Sequence, residues 1–170
     1  MPLLKGGEIV ADGWLRLGDD DKIPQGADVV VSFDRLAKGF EALKRHEGRL
    51  GVAFANHAAV DDLVPYLGAL HLVVLDFPAF GDGRAYSQAI QIRRHLEFGG
   101  ELRAAGAVLP DQVAYMRQCG FDAFEVTERH GLDVWQRAAT AITLTYQRGY
   151  APERGFAPAE IGRNRLEQRS

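Results

Sequence analysis

From Asp28 onward the chain repeats one pattern: a short β-branched run, a polar or glycine-bearing break, then an apolar stripe at helical spacing. Asp28-Val29-Val30-Val31 is the first run, of the kind buried on both faces of a sheet. Ser32 can cap the following helix, whose stripe is Phe33, Leu36, Phe40 and Leu43. Gly48 follows the basic Lys44 and Arg45, as expected at a helix C-terminus. The second run spans Leu50 to Ala55, with Asn56 as cap and a short helix on Val60, Leu63, Val64 and Leu67. The third is His71 to Phe77, followed by a helix from Arg84 to Phe98 on Ala85, Ala89, Ile92 and Leu96. Glu101 to Ala105 and Phe121 to Val126 are the fourth and fifth runs. Between them lies a helix on Leu109, Val113 and Met116 that stops at Gly120. A last helix over Leu132 to Leu144 buries Trp135, Ala139 and Ile142.

Strand starts recurring roughly every twenty to thirty residues imply parallel strands joined by right-handed crossovers. The expected fold is therefore α/β, with about five consecutive parallel strand–helix units. That is too few for a complete eight-fold barrel, which needs about 250 residues. Two architectures fit, an open three-layer sheet and a half-barrel-like arrangement, with the open sheet the first expectation. Ahead of this core, Ile9, Val10, Trp14, Leu15 and Leu17 flank Asp12-Gly13 and predict an N-terminal β-hairpin with a type I′ turn there. Asp19-Asp20-Asp21 reads as a solvated acidic loop. The chain divides into the hairpin and acidic loop (1–27), the α/β core (28–148) and an Arg-rich C-terminal arm (149–170) bearing Arg154, Arg163, Arg165 and Arg169.

Composition narrows the class. A length of 170 residues suits one core, and 46% hydrophobic with 25% charged residues is globular rather than disordered. A net charge of −3 gives no global reason to seek nucleic acid or anionic lipid, so neither is an expected partner. Met1 to Val10 lacks an apolar signal region, and no apolar stretch approaches the roughly 20 residues of a spanning helix. The cytoplasm is the expected compartment, and the protein is expected to be a monomer or small homo-oligomer. One cysteine, Cys119, excludes an internal disulfide and an all-thiolate metal site within one chain. Its place at a helix C-terminus disfavours a thiolate, which makes it a buried structural residue.

In parallel α/β folds, functional groups gather at the carboxyl ends of the strands. The loop after the third strand, Asp76-Phe77-Pro78-Ala79-Phe80-Gly81-Asp82-Gly83-Arg84-Ala85-Tyr86-Ser87, stands out. Asp76 ends an apolar strand, where an acid is costly unless paired or solvated. The glycines permit positive φ or close ligand approach, and the helix starting near Arg84 offers free N–H groups. Two readings stay open: Arg84 fixes the loop by pairing with Asp76 or Asp82, or Asp76, Asp82, Arg84 and Arg103 form a site for a small anion. Tyr86 stands where a dinucleotide fingerprint needs its third glycine, Asp82 would repel a phosphate, and there is no Walker lysine. Gly83, Tyr86, Ser87, Asp111 and Gln112 complete the candidate rim, with His57 and His130 as loop imidazoles. No metal site and no cofactor motif is evident, no catalytic residue can be assigned, and whether the chain is an enzyme stays open.

Three segments carry a resemblance: Asp76 to Ser87, Gly100-Glu101-Leu102-Arg103-Ala104-Ala105-Gly106, and Asp111-Gln112 with Cys119-Gly120-Phe121-Asp122-Ala123-Phe124. They resemble bacterial domain-of-unknown-function family 934, with Gln118 standing where that family carries an Arg. The resemblance implies a connection with assimilatory sulfite reduction. Sulfite reduction is a multi-electron reaction and the chain shows no redox motif. The expected function is therefore an accessory protein of sulfur assimilation that docks on or supports sulfite reductase. The alternative is a small-molecule enzyme or sensor binding an anionic ligand at the carboxyl-end rim.

Overall fold

The computed structural model describes residues 2–140. The expected arm over 149–170, and the end of the helix expected to reach Leu144, lie outside the described residues. The elements are β1 (Pro2–Lys5), β2 (Glu8–Ala11), β3 (Leu15–Arg16), β4 (Val29–Ser32), α1 (Phe33–Leu43), β5 (Leu50–Phe54), β6 (Leu70–Phe77), α2 (Arg84–Arg94), β7 (Glu101–Gly106), α3 (Val113–Cys119), β8 (Ala123–Glu125) and α4 (Leu132–Thr140). They build a mixed α/β domain on one eight-stranded sheet of order β2-β1-β8-β7-β6-β5-β4-β3.

The strands β4 to β8 lie side by side in chain order, all parallel. With no reversal in the order, right-handed crossovers all land on one face. A three-layer sheet needs such a reversal to place helices on its second face. The open three-layer expectation is thus corrected to a curled, half-barrel-like sheet; hydrophobic periodicity reports which face is buried, not which strand is the neighbour. The strand–helix alternation also breaks once. Between β5 and β6 the chain makes two 3₁₀ turns, Val60–Leu63 and Leu67–Ala69, in place of the expected helix.

The N-terminal hairpin turns elsewhere than expected. Gly6 and Gly7 both adopt positive φ (61° and 94°) between Lys5 and Glu8, which face each other across β1 and β2. Two glycines supply such a turn without steric cost. At Asp12-Gly13 the Asp12 carboxylate instead accepts from the Trp14 N–H at 3.0 Å, and the chain leads on to β3. This strand pairs in parallel with β4 at the opposite edge of the sheet. Three linking residues reach roughly 14 Å at most, so the two edges face each other across a narrow gap. Meanwhile β1 pairs antiparallel with β8, which makes the hairpin part of the same sheet.

Side chains alternate between the faces. The helix-covered face holds the main core, with Val31, Val52, Phe54, Val73, Leu75, Leu102 and Phe124 packed against Leu36, Ile92 and Trp135. The concave face carries a smaller cluster of Val30, Leu72, Val74 and Ala105, joined by Trp14 and Ala53. Local signals hold where they were expected. The Ser32 hydroxyl accepts from the Arg35 N–H at 3.2 Å to cap α1, and Gly120 ends α3 at φ 109°.

One buried cation ties the amino ends of β7 and β8 to α2. Arg93, 4% exposed, donates to the carbonyls of Gly120 (2.8 Å), Phe98 (2.5 Å) and Gly100 (2.8 Å) and pairs with Asp122. Asp122 in turn accepts from the Leu102 N–H at 2.8 Å. Burial raises the Asp122 carboxyl above its ordinary range, so the acid depends on its cation. Arg93→Ala should cost about 3–5 kcal/mol in chemical denaturation, the range for removing one partner of a buried pair. A loss under about 1 kcal/mol would show the network to be dispensable.

Candidate functional site

The parallel strands deliver the loops after β3, β4, β5, β6, β7 and β8 to one end of the sheet. Asp76, the penultimate residue of β6, points to the concave side and is exposed, so water solvates the acid that the apolar strand could not hold. It faces Ala105 on β7 across the ladder. Gly106 follows at φ +87°, and a Cβ there would fall 2.6 Å from the Asp76 Oδ1 and 2.5 Å from the Phe77 carbonyl. Only glycine leaves room for that carboxylate.

Asp82 and Arg84 close on each other. The Arg84 Nε and NH2 donate to the two Asp82 oxygens at 3.0 and 2.6 Å, and the Arg84 backbone N–H adds a third contact at 3.2 Å. Asn56, in the turn after β5, donates to Asp82 at 2.8 Å. The Arg84 guanidinium thus holds the Asp82 carboxyl well below the usual carboxylate range. Of the two readings of this loop, the internal pair with Asp82 is the one formed.

The remaining candidates disperse. Tyr86 stacks edge-on to Phe77 and tilts against Tyr115, both at 5.1 Å, and burial pushes its hydroxyl pKa up. Gly83 is the residue before α2, Ser87 and Asp111 are exposed, and Gln112 accepts from the Leu109 N–H at 3.1 Å to shape its own turn. His57 is exposed and His130 ends a 3₁₀ turn. Cys119 is buried, and burial raises its thiol above the ordinary value. Gln88, which the sequence did not single out, is buried and donates to the Ala55 and Ala58 carbonyls at 2.9 and 3.0 Å, pinning the loop after β5 onto α2.

Arg103 does not join the rim. It sits mid-strand in β7 on the concave face, 1% exposed. Its Nε and NH2 donate to Glu101 at 3.0 and 2.9 Å, and its NH1 donates to Asp12 at 2.9 Å. Lys5 donates to the other Glu101 oxygen at 2.6 Å, while Arg16 pairs with Glu125 from across the curl. Burial pushes the Glu101 carboxyl up, but the hydrogen bonds from Lys5 and Arg103 outweigh it and leave it below its usual range. Glu125 stays raised, because burial exceeds the pull of Arg16. This network was missed, although Glu101-x-Arg103 is a visible period-two charge signal within a buried strand.

The family model described as bacterial protein of unknown function (DUF934) matches residues 51–164, more than half of the chain. The protein belongs to this family. None of the curated proteins matches it. The DUF934 match takes in both halves of the geometry above, the Asp76–Ser87 rim and the Glu101–Gly106 strand. Among the described residues of this DUF934 chain, no helix is long and apolar enough to cross a membrane.

The Asp82 pair makes a pH-dependent expectation. With its folded pKa below the unfolded one, its stabilisation is complete above the ordinary carboxylate range and fades as pH falls toward the depressed value. Arg84→Ala should return the Asp82 titration, followed by carboxyl NMR shifts, toward about 3.9. An unchanged titration would assign the shift to Asn56 and the backbone instead.

Proposed function

We propose that this DUF934 protein is an accessory component of assimilatory sulfite reduction, acting by docking on sulfite reductase rather than by chemistry of its own. Family membership supports the connection through the resemblance described above. The observation that carries the docking mode lies in the rim loop. Asp82, Arg84 and Asn56 are engaged with one another, and beside them Phe80 stands 62% exposed, flanked by the exposed Pro78 and Ala79. An aromatic side chain held outward by a charge-paired scaffold is the anchor type that protein interfaces use. The same engagement of Arg84 counts against the alternative of an enzyme or sensor that grips an anionic ligand with that residue. The cytoplasm is the compartment this role requires.

The decisive experiment is growth of a deletion strain on sulfate, sulfite or sulfide as sulfur source. Failure on sulfite with rescue by sulfide is expected, and normal growth on sulfite removes the proposed role. Within that strain, Phe80→Asp should fold normally yet fail to complement. Full complementation by Phe80→Asp would move the docking surface away from this loop.

A further inference from the structure

We propose that residues 12–17 are an internal ligand of the concave face: Trp14 and Asp12 occupy, from within the chain, a site for a partner-protein segment that carries an aromatic side chain beside an acid. Among the described residues no helix packs on this face of the sheet, and its floor of Val30, Leu72, Val74 and Ala105 is apolar. Space for an aromatic ring is built into the floor. A Cβ on Gly51 would lie 3.2 Å from the Trp14 ring, 3.1 Å from Leu72 and 3.2 Å from Val30, so the missing side chain makes room for the indole. The ring also receives the Arg49 guanidinium at 4.9 Å from its centre. Beside it Arg103 is set into the sheet, almost wholly buried, with Asp12 supplying one of its two carboxylate partners. Arg103 cannot shed its charge, so removing Asp12 leaves a buried cation short of an acid.

The hold on this segment is slight compared with what it covers. The strand β3 is two residues long, and Leu15 and Arg16 are exposed. Besides the bonds of its two-residue ladder with β4, backbone bonds run from the Leu15 N–H to the Asp28 carbonyl (2.8 Å) and from the Leu17 N–H to the Val30 carbonyl (2.9 Å). Asp12–Arg103 and Arg16–Glu125 latch its two ends. A short edge segment with few bonds opens at a lower free energy than central strands. Once it lifts, the face presents an apolar hollow next to a guanidinium. That combination selects an aromatic–acid pair, the chemistry Trp14 and Asp12 bring. Being tethered, the segment acts at high effective concentration, which keeps the site closed until a competing segment is present. The inference rests on the concave face alone and stands whether or not sulfite reductase is the partner.

Hydrogen exchange on the full chain tests the opening. The Leu15 and Leu17 amides should exchange severalfold faster than those of Val52 and Val74. Asp12→Asn should speed the first pair severalfold further and leave the second unchanged. Exchange of all four at one rate, moving together in the variant, would show that the segment lifts only with global unfolding and would overturn the proposal. The site itself is probed with a synthetic peptide of residues 9–18 added to the full-length Trp14→Ala chain, or to Asp12→Asn should the first not fold. The peptide should shift the methyl resonances of Leu72 and Val74, and a peptide lacking the Trp and Asp side chains should not. No shift with the intact peptide, or equal shifts with both, removes the aromatic–acid site.

Discussion

Five parallel strands laid side by side in chain order oblige every crossover to fall on the same side of the sheet, and the rest of the molecule answers to that constraint. One face receives the helices and the main core; the other, with the smaller cluster of Val30, Leu72, Val74 and Ala105, needs a different cover. The N-terminal segment meets that need. Its hairpin extends the sheet beyond β8, and its continuation returns to the far edge beside β4, drawing the curl together and carrying Trp14 over the floor. Gly51, Ala53, Ala105 and Ala123 keep that face shallow enough for the indole and the Arg103 guanidinium to lie within it.

Charges inside such a curl are expensive, and their arrangement says what they contribute. Lys5, Arg16 and Arg103 each meet an acid from another strand or from the linking segment, so the pairs join the first sixteen residues to β7 and β8. Buried pairs seldom add net stability over apolar packing of the same size, but a broken one is costly. Their effect here is on register: a hairpin shifted along β8 would take Lys5 from Glu101 and Asp12 from Arg103, leaving those two only each other. The Asp82–Arg84 pair at the rim belongs to a different regime. It is solvated and worth little to the fold as a whole, and its consequence is local, fixing the loop from which Phe80 projects.

The sequence disclosed elements better than neighbours. Each apolar run became a strand within a residue or two, and Ser32 and Gly120 cap and close their helices for the reasons their chemistry suggests. The turn of the hairpin was not legible, because Gly6-Gly7 and Asp12-Gly13 are both good turn dipeptides. The choice between them is made by pairing with β8, more than a hundred residues away. The helix expected over Val60 to Leu67 became 3₁₀ turns because its stripe is too short to propagate. At the site, the carboxyl-end rule pointed to Asp76, Asp82 and Arg84, which lie at the end of β6, in the loop after it and at the start of α2. It could not separate Arg103 from them, since distance along a strand does not tell which residue of β1 or of the linking segment will lie against it. Glu125 passed unnoticed as the end of an apolar run, and Asp12 was absorbed into a turn.

The chain covers its own concave face with Trp14. Nuclear Overhauser contacts from the Trp14 indole in the intact protein measure this directly. The account predicts contacts to the side chains of Leu72 and Val30 and to the Gly51 backbone. An indole that gives no contact to these residues, with ring mobility like that of an exposed side chain, would contradict it.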